Sequence, residues 1–319
     1  MFNILVVDNV YGKNNSHWRR DTQSIHIVER VYFDEKNFEK KCINILAKND
    51  IDFIAFCGKG SSKAAKQLDL AFEMKGEYKL KKIKKIIRIQ NTNMSRMEID
   101  LKNKQELYNN GNRWLKEALE YNFDIIFVQT YQDDKIINNM LDSGRAYWVP
   151  YSNNDKIFYH QNREKIIDVG MYFKVQRHPK RKHVIDYVMK ICNKNKWKCE
   201  FSDKYWGNDY ATAIAKCKIL IHFSYSGDVP YRLYEAAAIG TCLLTDELYY
   251  GVEKLFDRTS YAVFKRNLSD IEDKIRMLLE NPKERRRIEK NASINSENNS
   301  WEIISEKYIV PILCKERNL

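Results

Sequence analysis

Residues 219–247 read ILIHFSYSGDVPYRLYEAAAIGTCLLTDE, and the order of physical signals within them decides the fold. Ile219–Phe223 is a short, almost wholly apolar, β-branched run, which suits a strand buried on both faces. Ser224–Asp228 is polar and contains glycine, so it reads as a loop. Pro230 then stands at or just before the first helical turn, where a missing N–H costs nothing. A helix through Ile239 follows, ended by Gly240 as C-cap, and Thr241–Asp246 resumes as a strand. Strand, loop, helix, strand within 30 residues is the repeat of a parallel sheet, because parallel neighbours need a crossover.

The same alternation extends in both directions. Upstream, strand-like runs occur at Phe2–Asp8, Asp52–Gly58, Lys84–Gln90, Phe123–Thr130 and Ala146–Tyr151. Segments of helical period lie between them at Asn37–Lys48, Ser61–Met74, Gln105–Tyr121 and Gln132–Leu141. Around the opening segment the runs Ile166–Lys174, Trp197–Ser202 and Tyr261–Lys265 alternate with helical stretches at Lys180–Asn193, Asp209–Lys216 and Leu268–Leu279. Tyr151–Gln161 has turn residues and no clean period, and reads as a linker. The expectation is an α/β protein of two Rossmann-like domains facing a cleft, residues 1–155 and 156–300. A C-terminal helix, 301–319, would cross back to the first domain. Ligands of such sheets sit at the carboxyl ends of the strands.

Composition bounds the function classes. The 319 residues are 44% hydrophobic and 13% aromatic, enough for packed cores and against wholesale disorder. No run approaches the ~18 apolar residues of a membrane span, and MFNILVVDN lacks the parts of a secretory signal, so a cytoplasmic protein is expected. The seven cysteines are scattered without a CxxC, which predicts reduced, structural thiols and no metal site. The formal charge of +12 points to an anionic partner, and it is concentrated. Lys75–Arg96 holds eight Lys/Arg against Glu77 alone, and Lys174–Lys198 holds nine against Asp186 alone.

Three groups of residues carry candidate chemistry. In the helix after Pro230, Arg232 and Glu235 are three apart and share a face, as an ion pair on a solvated face or as part of a site. The helix N-terminus and the Ser-Gly loop before it offer N–H groups to an anion. Val169–Tyr187, VGMYFKVQRHPKRKHVIDY, is a strand, a basic loop and a helix, and its cations suit an anion that gains charge during reaction. In the first domain, Gly12, Arg88, Gln90, Gln129 and Tyr131 fall at strand ends and are acceptor-side candidates by topology. His222 lies inside a strand and reads as a core histidine.

The stretch PYRLYEAAAIGTCLLTD resembles the donor-site helix of group 1 GT-B-fold glycosyltransferases, especially the spore-maturation-protein-like branch. The resemblance implies that Glu235 grips the ribose of a nucleotide sugar, with Tyr231, Arg232, Ser226 and Gly227 around it. It also implies that the loop 224–229 faces the diphosphate and the sugar. Val169–Tyr187 resembles the element opening the donor domain of the same enzymes, where an Arg and a Lys clamp the diphosphate. Arg177 and Lys182 match best, and Lys174 and Arg181 compete for either role. Two departures stand out: the second Glu of the broader retaining family is replaced by Gly227, with Asp228 beside it, and the Gly before the Arg is Gln176.

The implied activity is transfer of a sugar from a nucleotide diphosphate-sugar, a UDP-sugar in expectation, to a hydroxyl acceptor on a glycan, a protein or DNA. Retention and independence of metal come with the resemblance, as does the absence of a bound cofactor. Arg177, Lys182 and Asp228 are the implied catalytic residues. Two alternatives are weighed beside it. One is a DNA-base-modifying glycosyltransferase that uses the basic surface for DNA; the other is an inactive nucleotide- or nucleic-acid-binding module of the same fold.

Overall fold

The computed structural model describes residues 1–8, 18, 21–57, 60–89, 117, 118, 120–129, 146–173, 175, 179–224, 229–248 and 251–317. The chain divides into two compact units. Unit 1 comprises Met1–Pro150 together with Glu302–Leu319, and unit 2 comprises Tyr151–Trp301.

Unit 1 is built on a six-stranded sheet in the order β2-β1-β3-β4-β5-β6. The strands are β1 (Phe2–Asp8), β2 (Ile25–Tyr32), β3 (Phe53–Cys57), β4 (Lys84–Ile89), β5 (Ile125–Val128) and β6 (Ala146–Trp148), and every pairing is parallel. β3, FIAFC, is buried at all of its positions because it sits inside the sheet with both faces covered. Helices α1 (Phe38–Lys48) and α2 (Ser61–Met74) pack onto this sheet. On α2 the buried residues Ala64, Ala65, Leu68 and Phe72 recur at helical spacing, and each large apolar side chain so buried contributes about 1.5–3 kcal/mol.

β2 was not expected from sequence. It is an edge strand, mostly half-exposed, and Glu29 and Arg30 interrupt its apolar pattern. A register shift at Ile4/Leu5 adjusts its pairing with β1.

Residues 302–317 complete unit 1. Two acids one helical turn apart face the turn before β2. Glu302 accepts from the Gln23 amide at 2.7 Å, and Glu306 accepts from the Ser24 amide at 3.1 Å, the Ser24 hydroxyl at 2.7 Å and the Thr22 hydroxyl at 3.0 Å. Between and beyond these acids the helix takes a π-type turn over Ser305–Ile309. Tyr308 meets Trp148 edge to face, Glu316 pairs with Lys84 at 3.2 Å, and Arg317 pairs with Asp52 at 3.1 Å.

Unit 2 carries a five-stranded parallel sheet in the order β11-β10-β9-β7-β8. Its elements are β7 (Ile167–Met171), α3 (Pro179–Asn195), β8 (Cys199–Phe201), α4 (Gly207–Ala215), β9 (Cys217–His222), α5 (Tyr231–Ile239), β10 (Cys242–Asp246) and β11 (Ala262–Phe264). Helices α6 (Ile271–Glu280) and α7 (Pro282–Glu297) follow, the latter capped at its N-terminus by the Asn281 side chain. The architecture is therefore α/β with two parallel sheets, as the alternation of the sequence implied.

Two glycines set the sheet's geometry. A side chain on Gly170 in β7 would stand 2.4 Å from Cys217 Sγ and 2.9 Å from the Tyr172 ring, so only hydrogen fits there. Gly240 closes α5 with φ of 83°, and its amide and that of Thr241 both return to the Ala236 carbonyl, at 3.0 and 2.9 Å. The segment read as a linker is packed: Tyr151, Ser152, Asn153 and Phe158 are all buried within unit 2, and Asn153 bridges Ser300. Among the described residues no helix is long and apolar enough to cross a membrane.

Candidate functional site

Of the residues singled out by the sequence, the carboxyl ends of β7 and β9 in unit 2 bring together Arg181, Arg232 and Glu235. α5 starts after Pro230, whose extended backbone makes it the N-cap, and its first turn presents Arg232. The guanidinium donates from Nη2 and Nε to the Tyr172 carbonyl, at 2.9 and 3.2 Å, which fixes it at the end of β7. From α3, Arg181 donates through Nε to the Phe223 carbonyl at 3.3 Å, at the end of β9. Both cations lie near the Phe173 ring, Arg181 at 5.5 Å and Arg232 at 5.8 Å from its centre.

His222 is buried beneath this pair. Burial first, then the charges of Arg232 and Arg181, push its pKa well below the ordinary value, so the imidazole is neutral at physiological pH. That fits its reading as a core histidine. Its neutrality leaves the positive potential at this edge to the arginines.

Glu235, one turn beyond Arg232, is half-buried. Tyr210 of α4 is buried beside both: burial raises its phenol pKa, the Arg232 charge opposes that rise and the Glu235 charge adds to it. Tyr231 is also half-buried and stacks obliquely on Tyr151, with ring centres 4.0 Å apart.

A third strand end joins through Asp246, the last residue of β10, which has no exposed surface. Its Oδ1 accepts from the Ser224 amide at 2.5 Å and the Thr245 hydroxyl at 3.3 Å, and its Oδ2 accepts from Arg266 Nη1 at 2.9 Å. Arg266 donates through Nη2 to the Ser224 carbonyl at 3.1 Å and lies 5.0 Å from the Phe223 ring centre. Burial raises the Asp246 carboxyl to about 7, against the lowering effects of the Ser224 amide and Arg266.

The remaining expected residues divide as follows. Lys182 lies in the first turn of α3, exposed, and pairs with Asp186 at 3.0 Å one turn on. Arg177, Lys174, Ser226, Gly227 and Asp228 lie outside the described residues, as do Gly12, Gln90 and Tyr131. In unit 1, Arg88 is buried at the end of β4 and donates to the Pro150 carbonyl at 2.9 Å. Gln129, buried just after β5, accepts at its backbone oxygen from Trp148 Nε1 at 3.1 Å. Beside them, Asp8 at the end of β1 is buried and pairs with Arg30 at 3.2 Å.

Three lysines of the basic segment 75–96 pair with acids inside unit 1. Lys81 pairs with Glu73, Lys84 with Glu316 and Lys85 with Asp69. The sequence reading did not reach the Asp246–Arg266–Ser224 tie or Tyr210. Asp246 belongs to the quoted motif, but no local pattern marks Arg266 or Tyr210 as neighbours of the site.

Residues 175–301, within unit 2, match a family model described as glycosyl transferase-like. No curated protein matches the sequence. Among solved structures, Anabaena HepE in complex with UDP and glucose is similar over 99% of this chain and 100% of its own, with a TM-score of 0.61 at 11% identity. A variant of S. aureus TarM bound to fondaparinux, α-GlcNAc-glycerol and UDP is similar over 87% of this chain and 59% of its own, with a TM-score of 0.61 at 14% identity. Sucrose-phosphate synthase of Thermosynechococcus elongatus is similar over 88% and 77%, with a TM-score of 0.56 at 13% identity. Residues 175–301 are thus similar to a glycosyl transferase-like family, and the two parallel sheets with their helices have the GT-B fold.

Proposed function

We propose that the chain is a nucleotide-sugar-dependent glycosyltransferase that moves a sugar from a UDP-sugar to a hydroxyl acceptor. The observation that carries this is the convergence of Arg181, Arg232 and Glu235 at one edge of a parallel sheet, inside the residues that match the glycosyl transferase-like family. When the bond between the anomeric carbon and the diphosphate breaks, negative charge grows on the leaving phosphate oxygens. Guanidiniums already anchored to backbone carbonyls can meet that charge without reorganising, which is where preorganised cations gain most. Arg177, from the same stretch of sequence as Arg181, adds to this field, whereas Lys182 is exposed and neutralised by Asp186. Glu235, on the face it shares with Arg232, accepts hydrogen bonds from the ribose hydroxyls.

The solved relatives in complex with UDP or UDP-glucose support the choice of donor. Retention of configuration, chemistry without a metal ion and a place near the spore-maturation-protein-like branch follow the motif of residues 230–246. The internal ion pairs of residues 75–96 favour a glycan or other neutral hydroxyl acceptor over DNA. Calorimetric titration with UDP-glucose tests the site. Glu235→Ala should weaken binding about 30- to 150-fold, as expected for a charged hydrogen-bonding partner worth about 2–3 kcal/mol, without lowering thermal stability. Equal affinity in the variant would remove Glu235 from the site.

A further inference from the structure

We propose that Asp246 and Arg266 are positioning residues for sugar transfer: together they fix Ser224, next to the Phe223 carbonyl that anchors Arg181 at the donor edge. The proposal rests on the reading of unit 2 as the donor site. Its geometry is a tie across three neighbouring strand ends. Asp246 ends β10, Ser224 lies two residues beyond β9, and Arg266 lies two residues beyond β11. These strands are adjacent and in register, with Thr245 opposite His222 and Asp246 opposite Phe264. One carboxylate takes the Ser224 amide at 2.5 Å, and one guanidinium takes the Ser224 carbonyl at 3.1 Å, so both backbone groups of that residue are held. The ion pair between Asp246 and Arg266, at 2.9 Å, then couples the two holds.

A buried carboxylate costs desolvation free energy, and an apolar residue of similar size would serve stability as well or better. What the pair adds is direction: it orients Ser224 from both sides at the point where the chain leaves the sheet. Positions fixed to within a fraction of an ångström matter most beside a reacting group.

The pair is also sensitive to pH. Among the described residues, the groups facing the carboxylate include the Ser224 amide, the Arg266 guanidinium, the Thr245 hydroxyl and the amide of Asp246 itself, and of these groups and the carboxyl only the carboxyl changes charge near neutrality, at about 7. Protonation removes the attraction for Arg266. Neighbouring His222 stays neutral across that range because its pKa is pushed well below the ordinary value.

The test measures UDP-glucose affinity by calorimetry from pH 6 to pH 8, since this donor's diphosphate keeps its charge throughout. Donor hydrolysis gives kcat and KM on the same samples. For the wild type, affinity should fall severalfold from pH 8 to pH 6. Arg266→Gln should bind about tenfold more weakly at pH 8, with KM rising more than kcat falls, and Arg266→Lys should recover part of the loss. Asp246→Asn should bind weakly at every pH and lose the slope, because its amide meets Arg266 donor to donor. Should Arg266→Gln fail to fold, Arg266→Lys and the wild-type slope decide. Wild-type affinity in a folded Arg266→Gln variant, or a flat wild-type profile, overturns the proposal. If Glu235→Ala weakens binding while the Arg266 variants do not, this proposal alone fails. If Glu235→Ala is also without effect, the donor-site reading fails with it.

Discussion

Replacing Asp246 with Asn should change how stability depends on pH, by an amount that follows from the burial of one carboxyl group. The side chain has no exposed surface, and its pKa rises from the ordinary 3.8 to about 7. A carboxyl whose pKa is raised on folding stabilises the protein fully below 3.8, and that contribution is lost as pH rises toward 7. The whole separation, about three pH units at roughly 1.4 kcal/mol each, is worth about 4 kcal/mol. Between pH 5 and pH 8 the part that changes is about 2–3 kcal/mol. Asn does not titrate, so the variant escapes this loss. Urea unfolding of both proteins at pH 5, 6, 7 and 8, followed by circular dichroism, measures the difference between them. All other titrating groups are shared and cancel in that difference. Relative to the wild type, the variant should gain about 2–3 kcal/mol from pH 5 to pH 8, in the transition that reports unit 2. Parallel stability curves would show that the Asp246 carboxyl titrates near its ordinary value and would refute the reasoning.

Other perturbations test the packing that carries the site. Gly170→Ala places a methyl group 2.4 Å from Cys217 Sγ and should cost about 2–3 kcal/mol, read as a lowered thermal midpoint. Adding Cys217→Ala should restore part of it, and an unaltered midpoint in the single variant would contradict the close approach. Glu306→Ala removes the acceptor for the Ser24 amide and for the Thr22 and Ser24 hydroxyls, and should destabilise unit 1 by about 2 kcal/mol in urea. Amide exchange at Ser24 should quicken in step.

The parts of the fold that could be read from sequence are those whose burial is uniform. β3 is wholly apolar, and Ile219–Ile221 of β9 is too, because both faces of a parallel sheet are covered, and α5 announces both of its ends through Pro230 and Gly240. β2 escaped because an edge strand needs no continuous apolar run and here carries Glu29 and Arg30. Tyr151–Gln161 escaped for another reason: its turn residues and lack of a clean period suggest a linker, yet Asn153 donates to the Phe158 carbonyl and is buried.

The site shows the same divide. Arg232 and Glu235 were visible together because three residues of helix put them on one face. Between Arg181 and Lys182, neighbours in one basic run, the resemblance favours Lys182, but adjacent residues on a helix point about 100° apart. One therefore reaches the Phe223 carbonyl while the other turns to Asp186 and solvent. Arg266 was invisible because its partner is 20 positions away, across a strand end rather than along a helix. Charge counting is blind in a related way to partners that are distant in the sequence. Three of the lysines in residues 75–96 find acids elsewhere in unit 1, one of them Glu316, far away in the sequence.

The grouping of Glu302–Leu319 with Met1–Pro150 has a consequence for how the molecule is made. Unit 2 is an uninterrupted stretch of sequence, so a ribosome delivers all of it before the acids Glu302 and Glu306 that hold the turn at Thr22–Ile25. Unit 1 begins first and is finished last. Its first six strands must wait, with that turn unsecured, through the synthesis of some 150 intervening residues. At ordinary elongation rates that interval lasts about 10–30 s, long enough for unit 2 to fold first.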